Sequence, residues 1–338
     1  MNTSQTKIWL GGATGFLGSH VAQLLREHDA VFCSKNGGHI AGRDVISVDV
    51  TDSAAVERSA QGCQSAIICT GMVSRNKEDA ALLHQLHVEG TKAALLGLKR
   101  AGVHKVVLAS TSGTIAVSTD PKQIANELAP SPLEHIAPWP YYRTKYFGEK
   151  KALKLNSPDF EVVVACPSLL LGPGDVRESS TGDVRKFLEK SIMATPSGGI
   201  AFVDVRDAAR GMLLCLERGR GGERYLLSAA NMTLSTFFAR LSRISGVRAP
   251  LVSMPKNRAL SGGLFKLYES ALRSMGGSSP VDEESAQMGQ YYWYCSAEKA
   301  ERLLGFSARD PGETLRDTVN DLYERKVVAP LEMRQNRT

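Results

Sequence analysis

Short apolar runs alternate with segments of helical periodicity along the first half of the chain. The runs have the length of buried strands, and the longer segments between them have the length of helices. Elements that alternate in this way predict an α/β fold built on a doubly wound parallel sheet. The predicted strands lie at residues 8–10, 30–34, 45–50, 65–69, 104–109 and 161–166, and the predicted helices at 21–25, 53–61 and 79–101 and from Tyr141 onwards.

The alternating pattern of apolar runs and helical segments changes beyond about Gly174, where the predicted strands become short. Strands are predicted at 200–203 and 223–227, and helices at 182–194, 204–218 and 234–245. We therefore predict a first domain at 1–174, a smaller second domain at 175–330 from which some elements return to the first, and a tail at 331–338. The segment Arg258 to Met275 carries an apolar stripe typical of a lid, a dimer surface or a core surface, with a membrane anchor as the alternative.

The composition is that of an ordinary globular protein, with 43% hydrophobic and 22% charged residues. The formal net charge of +6 is dispersed over 338 residues, which argues against a nucleic-acid partner and suits a small anionic ligand. The six cysteines form no C-x-x-C pair and indicate a reducing compartment. The first seven residues are polar and too short for a signal peptide, and no apolar run has the length of a membrane span, so we expect a cytoplasmic protein without stable membrane insertion.

Three glycines follow the first predicted strand with the spacing G-x-x-G-x-x-G. Glycine lets the backbone turn tightly and approach a diphosphate without interference from a Cβ atom, and the N-terminus of the next helix offers free N–H groups and a partial positive charge. The stretch therefore predicts a dinucleotide site. The residues expected to bind the dinucleotide here are Gly12, Thr14, Gly15, Phe16, Leu17 and Gly18.

The ends of the next strands refine this site. An Asp or Glu just past the second strand would bind the 2′-hydroxyl of NAD, whereas this chain has Ser34 and Lys35. A hydroxyl and a cation suit a 2′-phosphate, so we predict NADP, with NAD as the alternative if Lys35 is only a solvated loop residue. Asp49, at the end of the third strand, is expected to bond the adenine amino group. Further residues expected along the cofactor crevice are Val50, Thr70, Gly71 and Met72.

Tyr141 and Lys145 stand four residues apart at the start of a predicted helix, so both side chains project from one face. An ammonium group beside a phenol stabilises the phenolate, and we expect it to lower the pKa of the tyrosine from about 10 toward the working range. The same lysine can bond a nicotinamide ribose. A hydroxyl from the run Ser110 to Ser112, which follows the fifth strand, can hold a substrate oxygen.

Two histidines, His84 and His87, fall on the long helix predicted at 79–101. They lie at i and i+3 on one helix face, but no third ligand is near them in the sequence. We therefore expect a surface or packing role for both and predict no metal site.

Taken together, these motifs resemble the extended short-chain dehydrogenase/reductases, also called the NAD-dependent epimerase/dehydratase family. The likeness lies in the glycine turn, the Tyr141/Lys145 pair with Glu149 after it, and the run 88–91. Within the family, residues 167–168, 172–175 and 296–306 resemble dihydroflavonol-4-reductase-like proteins and the bacterial hopanoid-associated sugar epimerase group. The resemblance implies a Rossmann-type sheet with a small C-terminal substrate-binding domain, a site in the cleft between them, and frequent dimerisation through two helices, so that a homodimer is an expectation.

The resemblance also implies a catalytic Ser or Thr, Tyr and Lys. Counted along the fifth strand, Thr111 falls where the catalytic hydroxyl belongs and Ser112 is one residue off, so Thr111 is preferred. Lys35 falls where reductase-like members carry a basic residue, and Pro167 and Ser168 match the loop beside the nicotinamide. Three positions depart from the family pattern, namely His87 in place of Asn, Gly11 in place of Thr and Asp204 in place of His.

We therefore predict an NADP-dependent oxidoreductase that reduces a small-molecule ketone or aldehyde to an alcohol, or runs the reverse reaction. Tyr141 would protonate the substrate oxygen, Thr111 would orient it, and Lys145 would tune the tyrosine and bind the ribose. The alternatives are a sugar-nucleotide epimerase or dehydratase that retains NAD, a 3β-hydroxysteroid dehydrogenase-like enzyme, and a regulator that binds NADP without catalysis.

Overall fold

Strands and helices alternate along the chain as the apolar runs predict. The computed structural model describes residues 6–255 and 283–330, with the isolated positions 263 and 270, so most of the stripe at 258–275 lies outside the described residues. The strands are β1 Ile8–Gly11, β2 Ala30–Ser34, β3 Gly38–Ile40, β4 Arg43–Ser47, β5 Ser65–Ile68, β6 Lys105–Ala109, β7 Glu161–Pro167, β8 Leu169–Leu171, β9 Ala194–Thr195, β10 Gly199–Asp204, β11 Arg224–Leu227, β12 Ala230–Thr233 and β13 Val252–Ser253.

The helices cover both faces of this framework. They are α1 Phe16–Leu24, α2 Ser53–Ser59, α3 Ala80–His84, α4 Thr91–Arg100, α5 Leu133–Ile136, α6 Pro140–Leu153, α7 Gly182–Leu188, α8 Val205–Arg218, α9 Leu234–Ser245, α10 Glu283–Met288, α11 Glu298–Leu304 and α12 Pro311–Glu324. Short 3-10 turns lie at Lys77–Asp79 and Ser112–Thr114, and a π-helical segment at Gln85–Gly90 joins α3 to α4. Within the described ranges, no helix is both long and apolar enough to cross a membrane.

Eight strands form the main sheet in the order β11-β7-β6-β5-β1-β2-β4-β3. Every neighbouring pair is parallel except β3 and β4, which form an antiparallel hairpin at one edge. The chain runs outward from β1 to β4 and then crosses back to β5, so the strand order reverses beside β1. This confirms the doubly wound sheet, and ligands in such sheets bind at the carboxyl ends of the strands where the order reverses.

Successive residues of the central strands point into two different apolar layers. Leu10 and Val107 pack with α1 and α8, whereas Trp9 and Val106 pack with α2 and α4 on the other face. All four side chains are fully buried, and burying a Leu or Val side chain contributes about 1.5–3 kcal/mol to stability. The two layers therefore hold the carboxyl ends of β1, β5 and β6 at one level.

Residues beyond Gly174, together with β8 just before it, form a second packed region, and some of these later residues return to the main sheet. A three-stranded sheet in the order β12-β10-β8 packs with α7, α9 and α12 around the buried rings of Phe187, Phe202 and Phe237. In contrast, α8 packs in the same layer as α1, and β11 pairs with β7 at the edge of the main sheet. The division into domains at residue 174 stays a prediction.

Several predicted elements have different bounds in the structure, and helix α1 already begins at Phe16. The strand predicted at 45–50 ends at Ser47, because the chain turns where the Asp49 carboxylate accepts hydrogen bonds from Thr51. The helix predicted at 182–194 ends at Leu188, and Lys190 just beyond it has a left-handed φ of +61°. The helix predicted at 79–101 is interrupted by the π-helical segment Gln85–Gly90.

Candidate active site

The glycine turn lies between β1 and α1 at the centre of the main sheet. Gly12 has a φ of +79°, and the Gly15 amide donates to the Gly12 carbonyl at 3.0 Å. A Cβ atom at Gly18 would collide with that same carbonyl oxygen, so the first turn of α1 packs directly on the turn. Thr14 is exposed, Phe16 is half-buried, and the side chain of Leu17 belongs to the core, which leaves only its backbone for a ligand.

The end of β2 offers one cation. Lys35 is largely exposed, and its Nζ lies 3.5 Å from Asp49 Oδ2. Hydrogen bonds from the Thr51 amide and hydroxyl, together with Lys35, hold the pKa of Asp49 below its usual range. The Ser34 hydroxyl donates to the Gly37 carbonyl at 2.8 Å, so the group expected to help bind a 2′-phosphate already has a partner.

A cavity of about 600 Å³ opens beyond the carboxyl ends of β6 and β7. Thr111, Ser112 and Tyr141 line it together, as do Pro167 and Ser168. The Thr111 hydroxyl caps the 3-10 turn by accepting from the Gly113 amide at 3.3 Å, which leaves its own proton free to donate, whereas Ser112 is more deeply buried. Much of the remaining wall is apolar and includes Leu170, Ile200, Phe237, Phe238, Met288 and Trp293.

Helix α6 presents Tyr141 and Lys145 on one side. Pro140 at the first helical position suits the fixed φ of proline and starts the helix one residue before Tyr141. The ammonium of Lys145 donates to the carbonyl oxygen of Ala109, at the end of β6, with an N···O distance of 3.1 Å. It also lies beside Gly71, because a Cβ atom there would be 3.2 Å from Nζ. Lys145 therefore sits between the ends of β5 and β6.

The expectation that Lys145 lowers the pKa of Tyr141 is wrong. Burial, with a smaller contribution from Tyr142, raises the pKa of Tyr141 rather than lowering it. Burial lowers the pKa of Lys145 to about 8. Tyr141 is therefore protonated at neutral pH, as a proton donor must be, while Lys145 titrates near the physiological range.

The profile of the "NAD dependent epimerase/dehydratase family" matches residues 8–228 of the chain. The chain belongs to this family. It is an NAD(P)-dependent enzyme of the extended short-chain dehydrogenase/reductase type, as the motifs predicted. The family binds a nicotinamide dinucleotide cofactor, and the sheet of this chain is of the Rossmann type.

The proteins that are similar to this chain carry names that indicate different reactions. A Synechocystis sp. protein that carries the provisional name dihydroflavonol 4-reductase is 29% identical over 321 residues, which covers 91% of this chain and 92% of that one. Sterol demethylase protein B of Methylococcus capsulatus is 28% identical over 253 residues, which covers 72% and 76%. The crystal structure of a nucleoside-diphosphate-sugar epimerase from Pseudomonas aeruginosa has a TM-score of 0.76 at 22% identity, covers 95% of this chain and 99% of that one, and shows the shared fold.

The residues at the switch point fit a dinucleotide. The Thr70 hydroxyl, after β5, is buried and has no hydrogen-bond partner among the described residues. No described side chain caps the N-terminus of α1, so its amides remain available beside the glycine turn. A buried donor without a partner costs about 1–3 kcal/mol, and a ligand that accepts from Thr70 would remove that cost.

Sequence reasoning did not predict the contacts that two groups of residues make at the site. Glu149 is buried and accepts from Ser110 Oγ at 2.9 Å and Arg224 Nη1 at 3.1 Å, so the hydroxyl proton of Ser110, which also lines the cavity, is already committed to Glu149. Its position four residues after Lys145 was the available signal. Arg75 and Asp183 form a two-point ion pair at 2.8 and 3.0 Å in the cavity wall. Since 108 residues separate them, no local pattern could pair them.

The two histidines of the predicted long helix have different surroundings in the structure. His84 is half-exposed with its Nε2 3.8 Å from Glu89, whereas His87 is buried. In the part of the chain that the structure describes, no three His, Cys, Asp or Glu side chains are placed to hold a metal ion.

Proposed function

We propose that the enzyme is an NADP-dependent oxidoreductase that interconverts a bulky, apolar ketone or aldehyde and the corresponding alcohol. The observation that carries the proposal is that Tyr141 and Thr111 line one cavity whose other walls are largely apolar. The provisional reductase name of one relative and the sterol-related name of another support the same class of reaction and substrate.

In this proposal each side chain has one task. The Thr111 hydroxyl donates a hydrogen bond to the substrate oxygen and orients it, and Tyr141, held in its protonated form by burial, transfers the one proton that completes the alcohol. The bound nicotinamide supplies the hydride. Lys145, beside Gly71, would bind the ribose and stabilise the negative charge on Tyr141 once its proton has left. In the reverse direction, the Tyr141 phenolate would accept the proton of the alcohol, while the Lys145 ammonium stabilises that phenolate.

The choice of NADP rests on Lys35. Its ammonium is exposed just past β2, where the adenosine ribose is expected, and no carboxylate stands at this position. Binding of a 2′-phosphate would replace the solvent-screened contact with Asp49 by a contact with a group of higher charge. NAD is the alternative cofactor.

The apolar wall argues against a sugar nucleotide as substrate. A hexose and its diphosphate present hydroxyls and charges, which need polar partners when they are removed from water. In the cavity wall, Arg75 is already paired with Asp183, whose pKa it holds below the usual range against the opposing effect of burial. A fused-ring or long-chain carbonyl compound or its alcohol, including the 3β-hydroxysteroid type, suits Leu170, Phe237 and Phe238 better.

The test is an assay of the purified full chain with NADPH and a fused-ring ketone, an aryl ketone, a short aliphatic ketone or UDP-glucose. We expect NADPH oxidation with the fused-ring or aryl ketone, slower oxidation with NADH, and no change in UDP-glucose. Epimerisation of UDP-glucose without net consumption of NADPH would support the epimerase instead. Binding of NADPH without turnover of any of these compounds would support a regulator.

Two matched leucine variants add a test of the cavity. Leu170→Trp places a bulky ring in the cavity wall, whereas Leu128→Trp makes the same change at a side chain that is 92% exposed. We expect Leu170→Trp to lower kcat/KM for the fused-ring ketone more than for the short ketone, and Leu128→Trp to change neither. Equal effects of Leu170→Trp on both ketones would place the substrate elsewhere.

A further inference from the structure

His87 lies where the turn after β5 meets the first turns of α6. Its side chain is 3% exposed, and the π-helical segment Gln85–Gly90 carries it. Helix α6 packs directly on its backbone, because a Cβ atom at Gly148 would collide with the His87 carbonyl oxygen. The imidazole also meets the ring of Tyr141 edge to face, with 5.6 Å between the ring centroids. His87 therefore touches both segments that face the crevice.

A chain of three hydrogen bonds runs through this imidazole. The Met72 amide donates to His87 Nε2 at 3.2 Å. His87 Nδ1 lies 2.9 Å from Thr144 Oγ1. The Thr144 hydroxyl in turn donates to the Tyr141 carbonyl oxygen at 3.0 Å. The chain thus links the turn after β5 to the turn of α6 that begins at Tyr141.

The partners fix the tautomer of the ring. A backbone N–H can only donate, so Nε2 must accept with its lone pair and the single proton of the neutral ring lies on Nδ1. Nδ1–H then donates to Thr144, whose own proton is committed to Tyr141. Each donor in the chain meets one acceptor. The opposite tautomer would place two N–H groups against each other at Nε2.

The electrostatic surroundings keep the ring neutral. Burial and the nearby Lys145 ammonium together lower the pKa of His87 to about 2. Protonation would put a second hydrogen on Nε2, break the bond from Met72, and add a positive charge beside Lys145. The bond pattern is therefore the same at every pH at which the enzyme is expected to work.

We propose that His87 is a positioning residue, which fixes the turn Thr70–Met72 on the first turn of α6 so that the dinucleotide-facing backbone and the Tyr141 hydroxyl keep one relative geometry. It acts through Met72 and Thr144 and does not touch the substrate. Its two ring nitrogens have separate tasks, since Nε2 holds the cofactor side and Nδ1 holds the tyrosine side. The effect on turnover rests on the proposed function, whereas the effect on dinucleotide binding does not.

The two tasks can be separated by substitution. The amide nitrogen of asparagine is two bonds from Cβ, as Nδ1 is, so His87→Asn keeps a donor for Thr144 and loses the acceptor for Met72. The amide oxygen of glutamine is three bonds from Cβ, as Nε2 is, so His87→Gln keeps the acceptor for Met72 and loses the donor for Thr144. Thr144→Val removes the hydroxyl without changing the shape of the side chain, and Thr144→Ser restores it.

We expect a crossed pattern in two measurements on the full chain. Direct titration should show that His87→Asn weakens NADPH binding about 5- to 50-fold while His87→Gln binds close to wild type. Turnover of saturated enzyme should fall about 10- to 100-fold in His87→Gln and Thr144→Val, because Tyr141 is misplaced, and should return toward wild type in Thr144→Ser. The matched controls His84→Asn and His84→Gln change a half-exposed histidine of the same helical run and should leave both quantities unchanged.

The proposal is overturned if the folded His87 variants lose only melting temperature, with NADPH affinity and turnover intact, or if Asn and Gln affect both quantities equally. A ¹⁵N spectrum of the imidazole gives an independent check, with the proton expected on Nδ1 alone from about pH 5 to about pH 9. A proton on Nε2 would also overturn it. If the wild type turns over no carbonyl compound, the proposed function fails, while the binding titration and the ¹⁵N spectrum still decide the role of His87.

Discussion

The Lys145 ammonium donates to the carbonyl oxygen of Ala109 at 3.1 Å, and no hydrogen bond to the Tyr141 hydroxyl, four residues earlier, is found within the described chain. The hydrogen bond to Ala109 orients the ammonium between the ends of β5 and β6, where a dinucleotide is expected. Burial there lowers the pKa of Lys145 to about 8 and raises that of Tyr141. Helix α6 thus carries a protonated phenol and a cation that loses its proton first.

This order of titration predicts the pH dependence of carbonyl reduction. Since the lysine is needed as an ammonium, kcat/KM in the reductive direction should fall as pH rises through about 8, the pKa of Lys145. In Lys145→Arg the guanidinium remains charged at all these pH values, so the fall should move to higher pH even if the maximal rate is lower. Initial rates of NADPH oxidation, measured across the pH range, give the pH profiles of the wild type and of Lys145→Arg. A fall at the same pH in both proteins would assign it to another group.

Lys35 should decide between the two cofactors. Removing its ammonium in Lys35→Ala should raise the Kd of NADPH about 10- to 100-fold, because a charge-assisted contact to the 2′-phosphate is lost, and should leave the Kd of NADH unchanged. Lys122→Ala, another exposed lysine in a distant loop, serves as the control. Fluorescence titration with both dinucleotides provides the measurement. An equal loss for NADPH and NADH would show that Lys35 does not recognise the 2′-phosphate.

Two glycines of the turn should respond differently to the same substitution. In Gly18→Ala the new Cβ would meet the backbone oxygen of Gly12, which cannot move without opening the turn, so we expect a loss of about 1–3 kcal/mol in the free energy of unfolding and weaker NADPH binding. In Gly15→Ala the Cβ would lie 3.3 Å from the same oxygen, and a small shift relieves the contact. Urea denaturation compares the two variants. Equal stabilities would contradict the packing of α1 on the turn.

Much of the fold follows from local patterns in the sequence. The apolar runs at β1, β2, β5, β6 and β7 are short and continuous, which is what strands buried on both faces require, and they predicted the parallel sheet. The glycine spacing and the Tyr141/Lys145 pair are also local, and the structure brings their segments to one edge of that sheet. Even the departure at Gly11 has a local reason, because a Cβ atom there would overlap the Trp9 ring.

The remaining features depend on contacts between distant segments. The hairpin β3–β4 and the π-helical segment Gln85–Gly90 have no simple periodic signal. The sequence led us to expect that Lys145 lowers the pKa of Tyr141, whereas burial raises it. Whether Thr111, Tyr141 and Lys145 have the proposed roles stays a prediction.

Replacement of Tyr141 by phenylalanine tests the central claim most directly. Tyr141→Phe removes only the hydroxyl, so the account predicts that kcat for NADPH-dependent reduction of a fused-ring ketone falls about 10²- to 10⁴-fold. The Kd of NADPH should stay within about twofold of wild type, since the tyrosine acts on the substrate oxygen. Unchanged turnover in a folded Tyr141→Phe protein that still binds NADPH would contradict it.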